Sequence, residues 1–142
     1  MGTQQALTTE QLELLLLICS IEERKRKEEL PPVDEVINQS CIYGAGKYDE
    51  LTGVLNHYGY IDYTDNLTID GRQYVDLFLE DLQKKAENPN IVINNQFTLI
   101  NIEALNAGIN SFVDIAGESE FFTKVAGGIK NVWQLVKNKV TK

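Results

Sequence analysis

Apolar residues recur at helical spacing near the start of the chain, and polar residues mark where this helix begins. The segment Leu7–Leu12 has the order of a capping box, in which Thr8 caps the helix and Gln11 reaches back to it. The charged run Glu22–Glu29 places opposite charges four residues apart, and Pro31-Pro32 ends the helix. We therefore expect one long amphipathic helix whose charged end is a solvated face.

Three further helices and a short hairpin are predicted before residue 88. The helices span about 32–40, 47–58 and 69–87. Between the last two, Tyr60–Tyr63 and Leu67-Thr68 flank the polar turn Thr64–Asn66, which is the pattern of a small β-hairpin. The predicted order is helix, short helix, turn, helix, hairpin and helix.

The composition of the chain changes at Asn88. Seven of the 23 residues from Asn88 to Asn110 are Asn. Residues 91–100 predict a second hairpin or one irregular extended stretch, and Asn101 predicts the cap of a short helix. A last helix is expected from about Ser119 to Val140. We divide the chain into a domain at 1–87 and, at 88–142, an Asn-rich linker with a C-terminal amphipathic helix.

Two motifs carry a resemblance to a known family. Leu51–Ile61 (LTGVLNHYGYI) looks like the end of a recognition helix that enters a wing, and Leu67–Tyr74 (LTIDGRQY) looks like the segment after a wing. Together they resemble the winged helix-turn-helix superfamily over residues 8–87. This resemblance implies a mainly α fold with a small β-hairpin wing (α+β), and it says little about function. The whole plan also resembles small winged-helix proteins of phages and prophages.

The distribution of charge argues against the usual role of that family, which is DNA binding. The net charge is −8, and residues 1–87 hold 17 acidic and 8 basic side chains, a net charge of −9. Contacts with phosphates supply most of the non-specific affinity for DNA, and they need cations. On the expected DNA-facing surface only Lys47 and Arg72 are candidates for contact with nucleic acid. A DNA-binding transcriptional regulator that acts as a dimer is therefore the alternative hypothesis.

Tyrosine is concentrated in the same region, with five tyrosines between residues 43 and 63. Tyrosine combines a large contact area with a polar tip and is common in protein-binding hot spots. We therefore expect a non-enzymatic protein-interaction module, an adaptor or inhibitor in a phage, prophage or defence setting. The expected partner-binding residues are Tyr43, Tyr48, Asp49, Glu50, Asn56, Tyr60 and Tyr63.

No constellation for catalysis, metal binding or cofactor binding is recognised. His57 is the only histidine, Cys19 lies on the apolar side of the first helix, and the glycines lack phosphate-loop spacing. We expect no enzyme activity and no cofactor. The chain lacks a recognisable leader and a run of about 18 apolar residues, so we expect a cytoplasmic protein with reduced thiols.

The C-terminal helix has an apolar side, and lysines occupy its other sides. The apolar residues are Phe122, Val125, Ile129, Trp133 and Val136. A basic amphipathic helix packs on its own domain, on a second copy, on another protein or on a membrane. We favour burial against protein that makes a homo-oligomer, and we consider membrane docking the weakest of the four alternatives.

Overall fold

The computed structural model describes residues 6–44, 46–87, 100–117 and 119–140, and these residues form seven helices without a strand. The helices are α1 (Thr9–Lys25), α2 (Val33–Gln39), α3 (Lys47–His57), α4 (Ile69–Glu87), α5 (Ile102–Asn110), α6 (Val113–Ala116) and α7 (Glu120–Val140). The predicted second hairpin at 91–100 lies outside the described residues, apart from Ile100.

Helix α1 runs through the centre of the molecule. Residues 14–21 are all buried, so no side of this stretch faces water. A helix that is apolar all round needs neighbours on every side, and α1 contacts each of the six other helices. The expected amphipathic first helix is therefore a central core helix over most of its length, and only its two ends reach the surface.

Side-chain caps start four of the helices at the predicted places. Thr8 and Gln11 form the capping box of α1. The side-chain oxygens of Thr68, Asn101 and Ser119 accept hydrogen bonds from the backbone N–H three residues later, at distances of 3.0 to 3.1 Å. Caps of this kind satisfy backbone donors that have no partner inside the helix. The predicted starts of α1, α4, α5 and α7 are thus confirmed.

The predicted β-hairpin wing is wrong. Between α3 and α4, the 59–68 loop makes one isolated antiparallel bridge, from Ile61 to Leu67. The carboxylate of Asp62 accepts from the backbone N–H groups of Thr64 and Asn66, at 2.9 and 3.1 Å. The backbone N–H of Leu67 donates to the Glu22 carboxylate at 2.6 Å. Two backbone bonds flank the bridge, from Asp62 N–H to the Asn66 carbonyl and from Thr68 N–H to the Tyr60 carbonyl. The pairing stops there because the Asn66 N–H, which a longer ladder would direct to the Asp62 carbonyl, is taken by the Asp62 carboxylate.

Glycine 71 brings α4 directly onto this loop. A Cβ at this position would lie 2.0 Å from the carbonyl oxygen of Tyr60, which is a forbidden distance. The glycine that resembles the family motif therefore permits close packing of helix on loop backbone rather than on a sheet.

One hydrophobic core joins the two parts into which the sequence was divided. It extends from Leu7 through the buried residues of α3 and α4 to Val132 in α7. Helix α7 packs along α1, α4 and α5. The domain boundary at residue 87 stays a prediction. In the whole chain, α5, α6 and α7 cover part of α1.

Candidate functional site

The exposed side of α3 carries acidic and small polar residues. Asp49, Gly53 and Asn56 are exposed at helical spacing, with Glu50 beside them, while the opposite side of α3 is buried. We call the acidic face the surface formed by these four residues of α3 together with three residues of the 59–68 loop, namely Asp62, Tyr63 and Asp65.

Hydrogen bonds hold the loop beside α3. The Tyr48 hydroxyl donates to the Asp65 carboxylate at 2.8 Å. The backbone N–H of Tyr60 donates to the Leu55 carbonyl at 3.0 Å. The first contact joins the loop to the first turn of α3 and the second joins it to the last, so α3 and the loop form one continuous surface.

Neighbouring carboxylates act on the ionisation of Asp65. Burial raises the pKa of Asp65, the hydrogen bond from Tyr48 lowers it, and the charges on Asp34, Asp62 and Asp49 raise it again. The pKa of Asp62 is lowered, mainly by the hydrogen bond from the Thr64 hydroxyl. The effect of these charges on the pKa of Asp65 requires that the carboxylates lie close together. The acidic face therefore presents a concentrated negative potential.

The expected tyrosines divide between this surface and the core. Tyr63 is 92% exposed. Tyr48 and Tyr60 are buried, and the ring of Tyr60 lies 4.9 Å from that of Tyr74 in α4. Tyr43 is half-buried and packs near Phe112. The aromatic contribution to the acidic face is therefore Tyr63, whereas Tyr48 and Tyr60 support the face from below.

The two cations considered for nucleic-acid contact do not form a cationic surface. The Lys47 ammonium forms a salt bridge with Glu10 of α1 at 3.2 Å. Arg72 is half-buried in α4, where its charge influences the Cys19 thiol of α1. Lys47 is thus paired with the chain's own Glu10, and Arg72 is half-buried, so the two cations present no shared cationic surface.

The thiols, the imidazole and the carboxylates are the remaining groups of the chain that could carry chemistry. Among the described residues, no group of three or more His, Cys, Asp or Glu side chains could hold a metal ion. Burial raises the pKa of the Cys19 thiol, so this thiol stays protonated and unreactive. His57 is exposed at the end of α3, and Cys41 is exposed after α2.

The apolar side of α7 faces the chain's own helices. Phe122, Val125 and Ile129 are buried, and Trp133 and Val136 are half-buried. This burial is achieved within one chain, so it does not itself require a second copy. The homo-oligomer through these residues stays a prediction. No described helix is long and apolar enough to cross a membrane.

Three consecutive residues near the end of α1 bind the backbone of three other segments, which the sequence did not reveal. Glu22 accepts from Leu67 of the 59–68 loop. The two carboxylate oxygens of Glu23 accept from the first backbone N–H groups of α7, at 2.7 and 3.0 Å. The Arg24 guanidinium donates to the carbonyl of Ile115 in α6. The expected solvated face is therefore correct for residues 25–29, which are exposed, and wrong for Glu22, Glu23 and Arg24, which make tertiary contacts.

Glu13 is a further group that the sequence did not single out. It lies half-buried between α1 and α5, where a Cβ on Gly108 would come within 2.2 Å of its carboxylate. Burial, and secondarily the charge on Glu10, raise the pKa of Glu13 to about 7. This carboxyl group therefore titrates near neutral pH.

Comparison of the chain with protein-family models, with curated proteins and with solved structures found no match. The surfaces of the chain itself are therefore the guide to its function, and the acidic face is the strongest candidate for a functional surface.

Proposed function

We propose that the chain is a non-enzymatic protein-interaction module whose acidic face binds a basic surface of a partner protein. The observation that carries this proposal is the position of Tyr63, 92% exposed in the same loop as the carboxylates of Asp62 and Asp65. A module of this kind acts as an adaptor or as an inhibitor that covers a basic site.

The physics of association supports a protein partner. Clustered carboxylates steer a basic partner toward the face and set its orientation. An exposed tyrosine supplies the desolvated contact that holds the complex, and such anchors contribute about 2 kcal/mol or more to binding. The acidic face offers both elements on one rigid surface.

Nucleic acid is the partner that this face disfavours. A duplex carries one negative charge per roughly 1.7 Å of its axis, so the carboxylates of the face repel it. The nearby Lys47 is paired with Glu10, which leaves it little affinity for a phosphate. We therefore expect no measurable binding of the full chain to labelled duplex DNA in a low-salt anisotropy titration. Tight binding that weakens steeply with salt would favour the DNA-binding regulator instead.

Affinity capture tests the proposal itself. The full chain is immobilised and exposed to nuclease-treated lysate of its source, and the recovered proteins are quantified by mass spectrometry. We expect a basic protein whose recovery falls at least tenfold with Tyr63→Ala. The matched control is Val113→Ala, which removes an exposed apolar side chain from α6, outside the face. Equal losses with both variants would contradict the proposal.

A further inference from the structure

Helices α4 and α7 leave an open groove between their outer sides, and this groove shares no residue with the acidic face. The groove has a volume of about 790 Å³. Its apolar part comes from the buried Leu82 and the half-buried Leu79 of α4, together with Gly128 of α7. A second chain could therefore contact apolar surface inside the groove.

Charged side chains of both signs line this groove. Asp76 and Glu80 lie on the α4 side, and Lys124 lies on the α7 side. All three are exposed, and none of them forms a salt bridge with another residue in the described part of the chain. The groove thus presents two carboxylates and one ammonium whose charges have no internal partner.

Because residue 127 is glycine, no side chain projects into the groove at this position of α7. A Cβ at Gly127 would meet no atom within 4 Å, so the packing of a single chain does not require glycine there. Glycine in the interior of a helix is unfavourable because it increases the entropy lost on folding. At this position the residue leaves helix backbone open to a side chain from outside.

We propose that the groove docks a second copy of the chain, in a two-fold arrangement that places Lys124 of each copy against Asp76 and Glu80 of the other. A two-fold interface joins a surface to itself, so the surface must be self-complementary. Opposite charges on the two walls meet this requirement. A partner of a single sign would leave either the lysine or the carboxylates facing a like charge.

This interface differs from the homo-oligomer predicted from the sequence. It uses the outer, polar side of α7 and leaves Phe122, Val125 and Ile129 in the core of each copy. It also leaves the acidic face uncovered, so it stands independently of the proposed function. Each copy of the dimer would present one acidic face.

Sedimentation equilibrium of the full chain tests the proposal, with the fold of each variant checked by circular dichroism. We expect the wild-type chain to form dimers that dissociate on dilution. Lys124→Glu and Glu80→Lys should each weaken the dimer at least tenfold, because like charges then meet across the interface. The two substitutions combined in one chain should restore part of the affinity, because the signs at positions 80 and 124 are then exchanged while Asp76 stays acidic.

A steric variant provides the second arm. Gly127→Gln should weaken the dimer at least tenfold while the helix content is kept, and Gly53→Gln on α3 is the control that should leave the dimer unchanged. A monomer at every concentration would overturn the proposal. So would a dimer that tolerates both charge reversals, or loss of dimer without rescue in the double variant.

Discussion

The acidic face and the α4–α7 groove are both exposed surfaces built on helices, yet their charges are arranged differently. On the acidic face, Asp49, Asp62 and Asp65 carry one sign, and the charges of Asp49 and Asp62 raise the pKa of Asp65. In the groove, Lys124 faces Asp76 and Glu80 across an apolar floor. One surface is complementary to a different molecule, and the other is complementary to itself.

The difference shows that the signs of the charges on a surface limit which partners the surface can bind. A single-sign surface repels its own copy, so the acidic face is unsuited to a two-fold contact with itself. The two surfaces also depend on neighbouring residues of α1, since Glu22 holds the loop of the acidic face and Glu23 holds the start of α7. They are therefore distinct but anchored to the same helix.

The largest effect is expected from Gly71→Ala, which disturbs the support of the acidic face. The added Cβ collides with the backbone of Tyr60, which cannot move away as a flexible side chain would. Overpacking of this kind costs about 1–3 kcal/mol, so we expect thermal denaturation to occur about 5–10 °C lower. Gly53→Ala is the control, because a Cβ there is free of neighbours and should stabilise α3 slightly. Similar melting temperatures for both variants would show that the loop is not packed as described.

An intermediate effect is expected when the two anchoring carboxylates are removed separately. Glu22→Gln weakens the charge-assisted bond to the Leu67 N–H, and Glu23→Gln weakens those to the first N–H groups of α7. Bonds to charged groups contribute about 1.5–3 kcal/mol, and these are partly exposed, so we expect losses of about 1 kcal/mol. Hydrogen exchange should accelerate in the 59–68 loop for the first variant and at the start of α7 for the second. Identical exchange patterns would contradict separate anchoring.

An effect of similar size, but confined to neutral and alkaline pH, concerns Glu13, which is part of neither surface. Its folded-state pKa of about 7 exceeds the ordinary value of 4.5, so its contribution to stability is fully present below pH 4.5 and is lost as the pH rises through 7. Because the group is half-exposed, solvent screening reduces the change to about 1 kcal/mol. The Glu13→Gln variant should therefore have the same melting temperature as the wild type at pH 4, and a melting temperature a few degrees higher than the wild type at pH 8. Equal melting temperatures of the two proteins at both pH values would contradict the burial of this carboxyl group.

Local chemistry explains how much of the fold was predictable. Thr8, Asn101 and Ser119 cap helices through contacts three residues away, so short sequence windows contain the necessary information. The wing was mispredicted because the Asp62 carboxylate takes the Asn66 N–H that a longer ladder would need, which leaves a single bridge. The bond from the Leu67 N–H to Glu22, 45 positions away, is likewise outside any local pattern.

The candidate site was predictable to the same extent. Helical periodicity correctly placed Asp49, Glu50 and Asn56 on the exposed side of α3. The tyrosines could not be divided in this way, because Tyr60 is buried against Tyr74 of a later helix. The groove was also beyond prediction, since the mutual placement of α4 and α7 depends on packing across the whole core.

The most direct test of the acidic face compares two glycines that share the same freedom from neighbours. Wild type, Gly53→Gln and Gly127→Gln are used as immobilised full-length bait in nuclease-treated lysate, and the recovered proteins are quantified. The account predicts that Gly53→Gln, at the centre of the acidic face, loses the basic partner at least tenfold, whereas Gly127→Gln retains it. Equal recovery of the partner by all three chains would contradict the claim that the acidic face binds the partner. A loss of the partner with Gly127→Gln alone would contradict it as well.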